Sequence, residues 1–296
     1  MAKEWSKFEE KSLARFVTPE LPDSFKLPNH VNRLELMQWN KHQLVKEIYN
    51  TLAEKNIKYA LEPFNSEKNT QLIRTYKEIL ETRNEGTCLD LAVLFCGICL
   101  AYDLLPLLIV FEDHALAAVS IRYNRKEYWN DKSTERQKER QFFQDQPVFK
   151  HEELQTLINL GNFLVVECTG FVSSQTTLPE NMPEGIGRNE EGFLSFERAI
   201  EAGKEQINTS GRKFRFAIDI AIAHEYWKIK PQFPIEQHIG ENQKIPVGDL
   251  LNKHFNNQLA KEKNSRKYIP DIFIEVAEVK DNARFLLILF CFFKKL

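Results

Sequence analysis

The sequence has no excess of charge of either sign. Its 296 residues include 40 lysines and arginines against 42 aspartates and glutamates, which gives a formal net charge of -2. A nucleic-acid-binding surface requires a concentration of basic residues. This balance provides none, so we predict no nucleic-acid partner. With 43% hydrophobic and 28% charged residues, the chain has enough apolar material for a core.

Long apolar runs and targeting segments are also missing. The longest apolar stretch outside the segment around Cys88 is "FLLILFCFF", from Phe285 to Phe293, which is too short to span a bilayer. The first residues, "MAKEWSKFEEK", are charged and lack the apolar region of a signal peptide. We therefore expect no membrane span and a cytoplasmic location.

Cysteine is scarce. The five cysteines are Cys88, Cys96, Cys99, Cys168 and Cys291. An odd count without dense spacing favours reduced thiols over a disulfide framework. Cys96 and Cys99 lie in an apolar helical run, without a second cysteine or histidine pair at zinc-finger spacing. We interpret both as core residues, and a metal site is the less favoured alternative. No Walker phosphate loop is present in the sequence, and we predict neither a cofactor nor a metal.

Composition divides the chain into three parts. Residues 1–40 contain several prolines and little periodicity, and we predict an N-terminal extension there. Residues 41–230 carry the helix and strand patterns of a folded domain. Residues 231–296 begin with a polar stretch, and we predict a C-terminal extension or linker with a late strand at "YIPDIFIEVAEV".

Several segments of the domain have recognisable secondary-structure patterns. Three apolar segments predict strands: "LLPLLIVF", "HALAAVSI" and "NFLVVEC". The spacing of apolar residues between Leu72 and Leu80 predicts a helix. The segment "FRFAIDIAIAHEYWKI" is ambiguous, because it alternates like a strand through Ile218 while Asp219 is suited to cap a following helix.

Cys88 stands at the start of an apolar segment, "GTCLDLAVLFCGICL". The segment is apolar on all faces, which predicts a buried helix. Thr87, followed three residues later by Asp90, is a helix-capping pattern and makes Cys88 the first helical residue. Unpaired N–H groups and the helix dipole favour a thiolate there, although Asp90 opposes it slightly, so a nearby imidazolium is also required. The alternative is that Cys88 is a small core residue.

Two further residues complete a candidate catalytic set. His114 opens the strand after "LIVFED", and Glu167 ends the strand of "NFLVVEC". A buried acid without a partner is unfavourable, and a carboxylate is what orients a catalytic imidazole. The structural alternatives are a histidine satisfied at a strand start and a glutamate where a strand leaves the core. Asp131, in "YWNDKS", is a rival for the third position.

The motifs around these residues resemble those of the transglutaminase-like cysteine peptidase superfamily. There, Gly-x-Cys-x-Asp/Glu opens a central helix, a histidine follows on the next major strand, and an acid lies on the strand after it. Here "GTCLDLA" matches a bacterial branch that also carries His-Ala and Val-Glu-x-Thr, to which "DHALAAVSI" and "VECTG" correspond. Two features depart from these patterns: Asp113 replaces a glycine, and the acid is Glu167 where the wider superfamily has aspartate.

The resemblance covers roughly residues 44–230 and implies an α+β fold. Its core would be the papain-like transglutaminase arrangement, a central helix packed on an antiparallel sheet, with N- and C-terminal extensions. Residues 41–230 would be the catalytic domain. In the implied triad, Cys88 is the nucleophile, His114 its acid–base partner and Glu167 the orienting acid.

The activity implied is hydrolysis of a peptide or isopeptide amide through an acyl-enzyme intermediate, with a protein or peptide as substrate. Acyl transfer from glutamine to an amine, or deamidation, uses the same triad and remains an alternative. A non-catalytic interaction module is the alternative from another class. A weak likeness of "RKYIPDIFIE" to connector segments of multidomain proteins adds a further hypothesis, an effector in bacterial signalling or defence with a regulatory protein partner.

Overall fold

The computed structural model describes residues 2–232, apart from positions 22, 30, 33–34, 37–39, 61–68, 125–142, 175–181 and 209–210. These residues fall within one unit, Met1–Ile235. The unit is a mixture of helices and sheets, so the predicted α+β class is confirmed. Except for its first two positions, the predicted C-terminal extension at 231–296 lies outside the described residues, and so does its late strand.

The regular elements of the described residues are mostly short. The strands are β1 (Lys3–Ser6), β2 (Lys58–Tyr59), β3 (Thr70–Ile73), β4 (Glu85–Gly86), β5 (Pro106–Phe111), β6 (Ala115–Ser120), β7 (Phe163–Val166) and β8 (Phe214–Asp219). The α-helices are α1 (Lys41–Ala53), α2 (Cys88–Ala101), α3 (His151–Leu157), α4 (Phe196–Asn208) and α5 (Ile220–Glu225). The 3-10 helices are Glu10–Phe16 and Cys168–Phe171, and the π-helical turns are Glu78–Thr82 and Ile158–Asn162.

The central sheet consists of four antiparallel strands in the order β7-β6-β5-β8. Every residue of β5 and β6 is buried. Strands covered on both faces have continuous apolar sequences rather than alternating ones, which explains "LLPLLIVF" and "HALAAVSI". Strands are therefore confirmed at both segments.

Helix α2 packs against both β5 and β6. The predicted cap is present: the Thr87 hydroxyl accepts from the Asp90 N–H at 3.3 Å, and the Asp90 carboxylate accepts from the Thr87 N–H at 3.0 Å. Every residue from Leu89 to Leu100 is buried, as expected of a helix that is apolar on all faces. Among the described helices, none combines the length and apolarity needed to cross a bilayer.

The first residues of the chain contribute to the same core. β1 pairs antiparallel with β3, and the side chains of Trp5 and Leu13 are buried with those of α2 and the central sheet. The backbone near Thr18 comes so close to α2 that a Cβ at Gly97 would lie 2.7 Å from the Thr18 carbonyl oxygen. Glycine at this helix position thus permits the close contact.

The helix predicted between Leu72 and Leu80 is only partly correct. Residues 70–73 form β3, and the π-helical turn Glu78–Thr82 follows. Pairing with β1, which lies far away in sequence, extends the first part of this segment. Apolar spacing within one segment does not contain that long-range information.

The ambiguous segment after residue 213 contains both predicted elements in succession. β8 runs to Asp219, whose carboxylate then accepts from the Ile222 N–H at 2.9 Å and caps α5. At the opposite edge of the central sheet from β8, α4 packs on β7. A Cβ at Gly203 would lie 2.8 Å from the Val165 carbonyl oxygen, so glycine brings α4 close to β7.

Candidate active site

A cleft of about 900 Å³ lies at the beginning of α2. Cys88 and His114 line it, and β1, β3 and the end of β5 form much of its wall. Cys88 is partly exposed, whereas Cys96, Cys99 and Cys168 are fully buried. Of the four described cysteines, Cys88 is therefore the one that a substrate can reach.

His114 and Glu167 form a buried pair behind Cys88. The His114 Nε2 atom lies 2.8 Å from Glu167 Oε2, and the side chains are 3% and 0% exposed. The sheet register explains the meeting, because Ala117 lies opposite Val166 and the end of β7 is therefore beside the beginning of β6. Two residues 53 positions apart are brought together by strand pairing.

The second ring nitrogen of His114 is oriented by this arrangement. Since Nε2 is engaged with Glu167, Nδ1 is the ring nitrogen that remains for Cys88, which lines the same cleft as His114. The three side chains predicted as a catalytic set thus lie in the order cysteine, histidine, glutamate. Asp131, the rival acid, lies outside the described residues.

Opposing effects determine the charge of the pair. Burial lowers the pKa of His114, but the charge of Glu167 and the hydrogen bonds to Cys88 and Glu167 outweigh it and hold that pKa well above its usual value. Burial raises the pKa of Glu167, but the charge and hydrogen bond of His114, with bonds from Gln206 and Thr169, lower it to about 2. At neutral pH the pair is consequently imidazolium and carboxylate.

Glu167 is fixed by residues other than His114. Its Oε1 accepts from the Thr169 N–H at 2.9 Å and the Thr169 hydroxyl at 2.8 Å, while Oε2 accepts from Gln206. Arg188 donates in turn to the Thr169 hydroxyl at 3.0 Å. Sequence reasoning included the threonine of Val-Glu-x-Thr but missed Gln206 and Arg188. Gln206 lies at helical spacing from Ala199 and Gly203, on the buried face of α4. A polar residue on such a face was the signal in the sequence that could have identified it.

Asp90 and Asp113, two acids near the candidate residues, have arginine partners. Asp90, which caps α2, accepts from the Arg74 backbone N–H and from its guanidinium, both at 2.8 Å. Burial nevertheless raises the pKa of Asp90. Asp113, which replaces the glycine of the resembling branch, pairs with Arg212 at 3.0 Å. Their negative charges next to Cys88 and His114 are thus offset locally.

Tyr59 is a cleft residue that sequence reasoning did not identify. Its ring lines the same cleft as Cys88, and burial, followed by the charge of Cys88, raises its pKa far above the usual value. Neither the apolar spacing around it nor a motif marks it, because β2 and β4 come together through a pairing of only two residues in each strand.

The remaining described cysteines are unsuited to chemistry at neutral pH. Burial raises the pKa of Cys96, Cys99 and Cys168 well above the usual thiol value. A thiol without solvent contact and with a raised pKa behaves as a small apolar residue. The described part of the chain contains no group of three or more histidine, cysteine, aspartate or glutamate side chains arranged to hold a metal.

Comparison with known proteins finds no matching family model, curated protein or solved structure.

Proposed function

We propose that this chain is a cysteine-dependent amide hydrolase of the transglutaminase-like peptidase superfamily, with a papain-like core. The observation that carries the proposal is the buried His114–Glu167 pair directly behind Cys88, at a helix start that opens into a cleft. Burying an ion pair is unfavourable unless its geometry is specific. A non-catalytic binding module has no need of that pair beside an accessible thiol.

The proposed reaction begins with the Cys88 thiolate and the His114 imidazolium. The sulfur attacks the carbonyl carbon of a peptide or isopeptide amide and forms a C–S bond, while the carbonyl electrons move to oxygen. His114 then gives its proton to the leaving nitrogen as the C–N bond breaks. Water, deprotonated by the same imidazole, hydrolyses the thioester. Glu167 orients the ring and stabilises its positive charge throughout.

Two structural features fit these roles. The raised pKa of His114, which follows from Glu167 despite burial, keeps the imidazolium available to protonate a leaving amine at neutral pH. The start of α2 supplies backbone N–H groups without intrahelical partners beside Cys88. The Cys88 N–H is therefore the first candidate donor to the oxyanion of the tetrahedral intermediate.

The test is cleavage of a library of peptides and isopeptides, with products identified by mass spectrometry. We expect iodoacetamide-sensitive cleavage that is lost in Cys88→Ala. The matched control is Cys99→Ala, which removes a buried thiol of the same helix away from the cleft and should retain cleavage.

The same assay distinguishes the rival reactions. Addition of a primary amine that captures the acyl group in preference to water would indicate transferase chemistry, and a mass change of a glutamine side chain without backbone cleavage would indicate deamidation. Cleavage by the Cys88→Ala variant would exclude Cys88 as the nucleophile. An interaction module predicts instead that partner binding is the same in the parent and in Cys88→Ala, without turnover in either.

A further inference from the structure

An acyl-transfer site of this kind needs more than one donor for the oxyanion. The Cys88 N–H is one candidate, at the first residue of α2. Tyr59 carries a side-chain hydroxyl donor and lines the cleft together with Cys88 and His114. A donor on the wall of the cleft that holds Cys88 is placed to meet the carbonyl oxygen when the C–S bond forms.

The backbone of Tyr59 is held from both sides. In the β2–β4 pairing Tyr59 lies opposite Gly86, and the Ala60 N–H donates to the Gly86 carbonyl at 2.9 Å. On its other side, the Tyr59 N–H donates to the Ser173 carbonyl at 3.1 Å. Gly86 is two residues before Cys88, so Tyr59 is fixed relative to the start of α2. A pre-positioned donor of this kind requires no reorganisation during the reaction.

The phenol also stays protonated. Burial, then the negative charges of Cys88 and Glu167 and the hydrogen bond to Cys88, raise the pKa of Tyr59 far above its usual value. A hydroxyl that keeps its proton across the working pH range is a donor throughout that range.

We propose that the Tyr59 hydroxyl is the second oxyanion donor of this site, acting together with the Cys88 N–H. The inference rests on the function proposed above. When the sulfur bonds to the carbonyl carbon, the electron pair of the C=O bond moves to oxygen, and the Tyr59 hydroxyl donates a hydrogen bond to that oxyanion. Collapse restores the C=O bond and expels the leaving group, and Tyr59 neither gains nor loses a proton.

The test separates oxyanion stabilisation from any effect on the thiol. p-Nitrophenyl acetate acylates Cys88 through a tetrahedral oxyanion and releases nitrophenolate. Iodoacetamide alkylates the same sulfur by direct displacement, without an oxyanion. For Tyr59→Phe we expect the acylation rate constant to fall about 100-fold, the range seen when one oxyanion donor is removed. The alkylation rate constant should stay near the parent value.

Controls make each outcome decisive. Tyr226→Phe removes the hydroxyl of a tyrosine that does not line the cleft and should change neither rate. Cys88→Ala gives the background of both reactions. Unchanged acylation in Tyr59→Phe would overturn the inference. A parallel fall in both rate constants would also overturn it, because Tyr59 would then act on the thiol.

Failure of the proposed function has a different signature. If the Cys88→Ala variant releases nitrophenolate as fast as the parent does, Cys88 is not an acyl acceptor, and the hydrolase proposal fails together with this inference. If the parent acylates at Cys88 and Tyr59→Phe keeps the parent rate, the hydrolase proposal stands and the role of Tyr59 is refuted.

Discussion

Replacing Glu167 with glutamine should destabilise the protein, because the carboxylate is fully buried and accepts four hydrogen bonds. Oε2 accepts from His114 and Gln206, and Oε1 accepts from the N–H and the hydroxyl of Thr169. An amide keeps only one acceptor oxygen. Its NH2 group must therefore face donors that are already present, and a buried group left unsatisfied costs about 1–3 kcal/mol.

The lost charge gives a second measure of the effect. Burial alone would raise the pKa of Glu167, but the charge and hydrogen bond of His114, with the bonds from Gln206 and Thr169, lower it from 4.5 to about 2. The difference corresponds to about 3 kcal/mol of stability at neutral pH. Since the folded-state pKa is the lower one, this contribution is fully present above pH 4.5 and is lost as the pH falls towards 2.

Urea denaturation of parent and Glu167→Gln at a series of pH values measures both effects. At neutral pH the free energy of unfolding should be about 3 kcal/mol lower in the variant, and this difference should shrink as the pH falls below 4.5. Amide turnover should fall without vanishing, since the amide oxygen still accepts from His114 but no longer stabilises the imidazolium.

Glu197→Gln is the matched control. Glu197 pairs with Lys46 at the surface, with its side chain 61% exposed. Exposed pairs contribute about 0–1 kcal/mol, so this variant should be nearly as stable as the parent. If Glu167→Gln were as stable as Glu197→Gln at neutral pH, or if the parent showed no loss of stability between pH 4.5 and 2, the buried ion pair would be refuted.

Further expectations concern the thiols, the positioning of Glu167 and the packing of α4. Limited iodoacetamide labelling with peptide mapping should modify Cys88 before the three buried cysteines of the described residues, and prior labelling of any of these would contradict the site. Gln206→Leu should reduce kcat about tenfold, because a lost hydrogen bond to a charged group costs about 1.5 kcal/mol. It should also raise the pKa of Glu167, measured from the pH dependence of stability. An unchanged pH dependence would show that Gln206 only fills space. Gly203→Ala should lower the free energy of unfolding by about 1–3 kcal/mol in thermal denaturation, because the added Cβ would meet the β7 backbone. A variant as stable as the parent would show that α4 can move away from β7.

Local patterns predicted the elements whose information is local. The apolar runs of β5 and β6, and the Thr87–Asp90 cap of α2, follow from burial and from a hydrogen bond between neighbours in the sequence. The family motifs predicted that His114 and Glu167 lie close together. In the structure, the register of β6 and β7 brings the two residues side by side.

What the sequence could not predict depends on long-range pairing. β1 and β3 each have four residues without an alternating pattern, and only their pairing makes them strands. Tyr59 enters the cleft for the same kind of reason, since β2 and β4 together involve two residue pairs. No window of sequence around Tyr59 contains the chain segment that fixes it.

The arginines near the candidate site explain how a helix that begins at a cysteine can tolerate acids next to both Cys88 and His114. Asp90 at the start of α2 would oppose a thiolate, but the cap needs it and Arg74 offsets its charge. Asp113 would add a second carboxylate beside the imidazolium, but Arg212 pairs with it. Charge on His114 is then governed chiefly by Glu167, whose own carboxylate is held by neutral donors and the imidazolium. Because the acid that caps α2 is distinct from the acid proposed to orient His114, the same short segment can cap a helix and carry the proposed nucleophile.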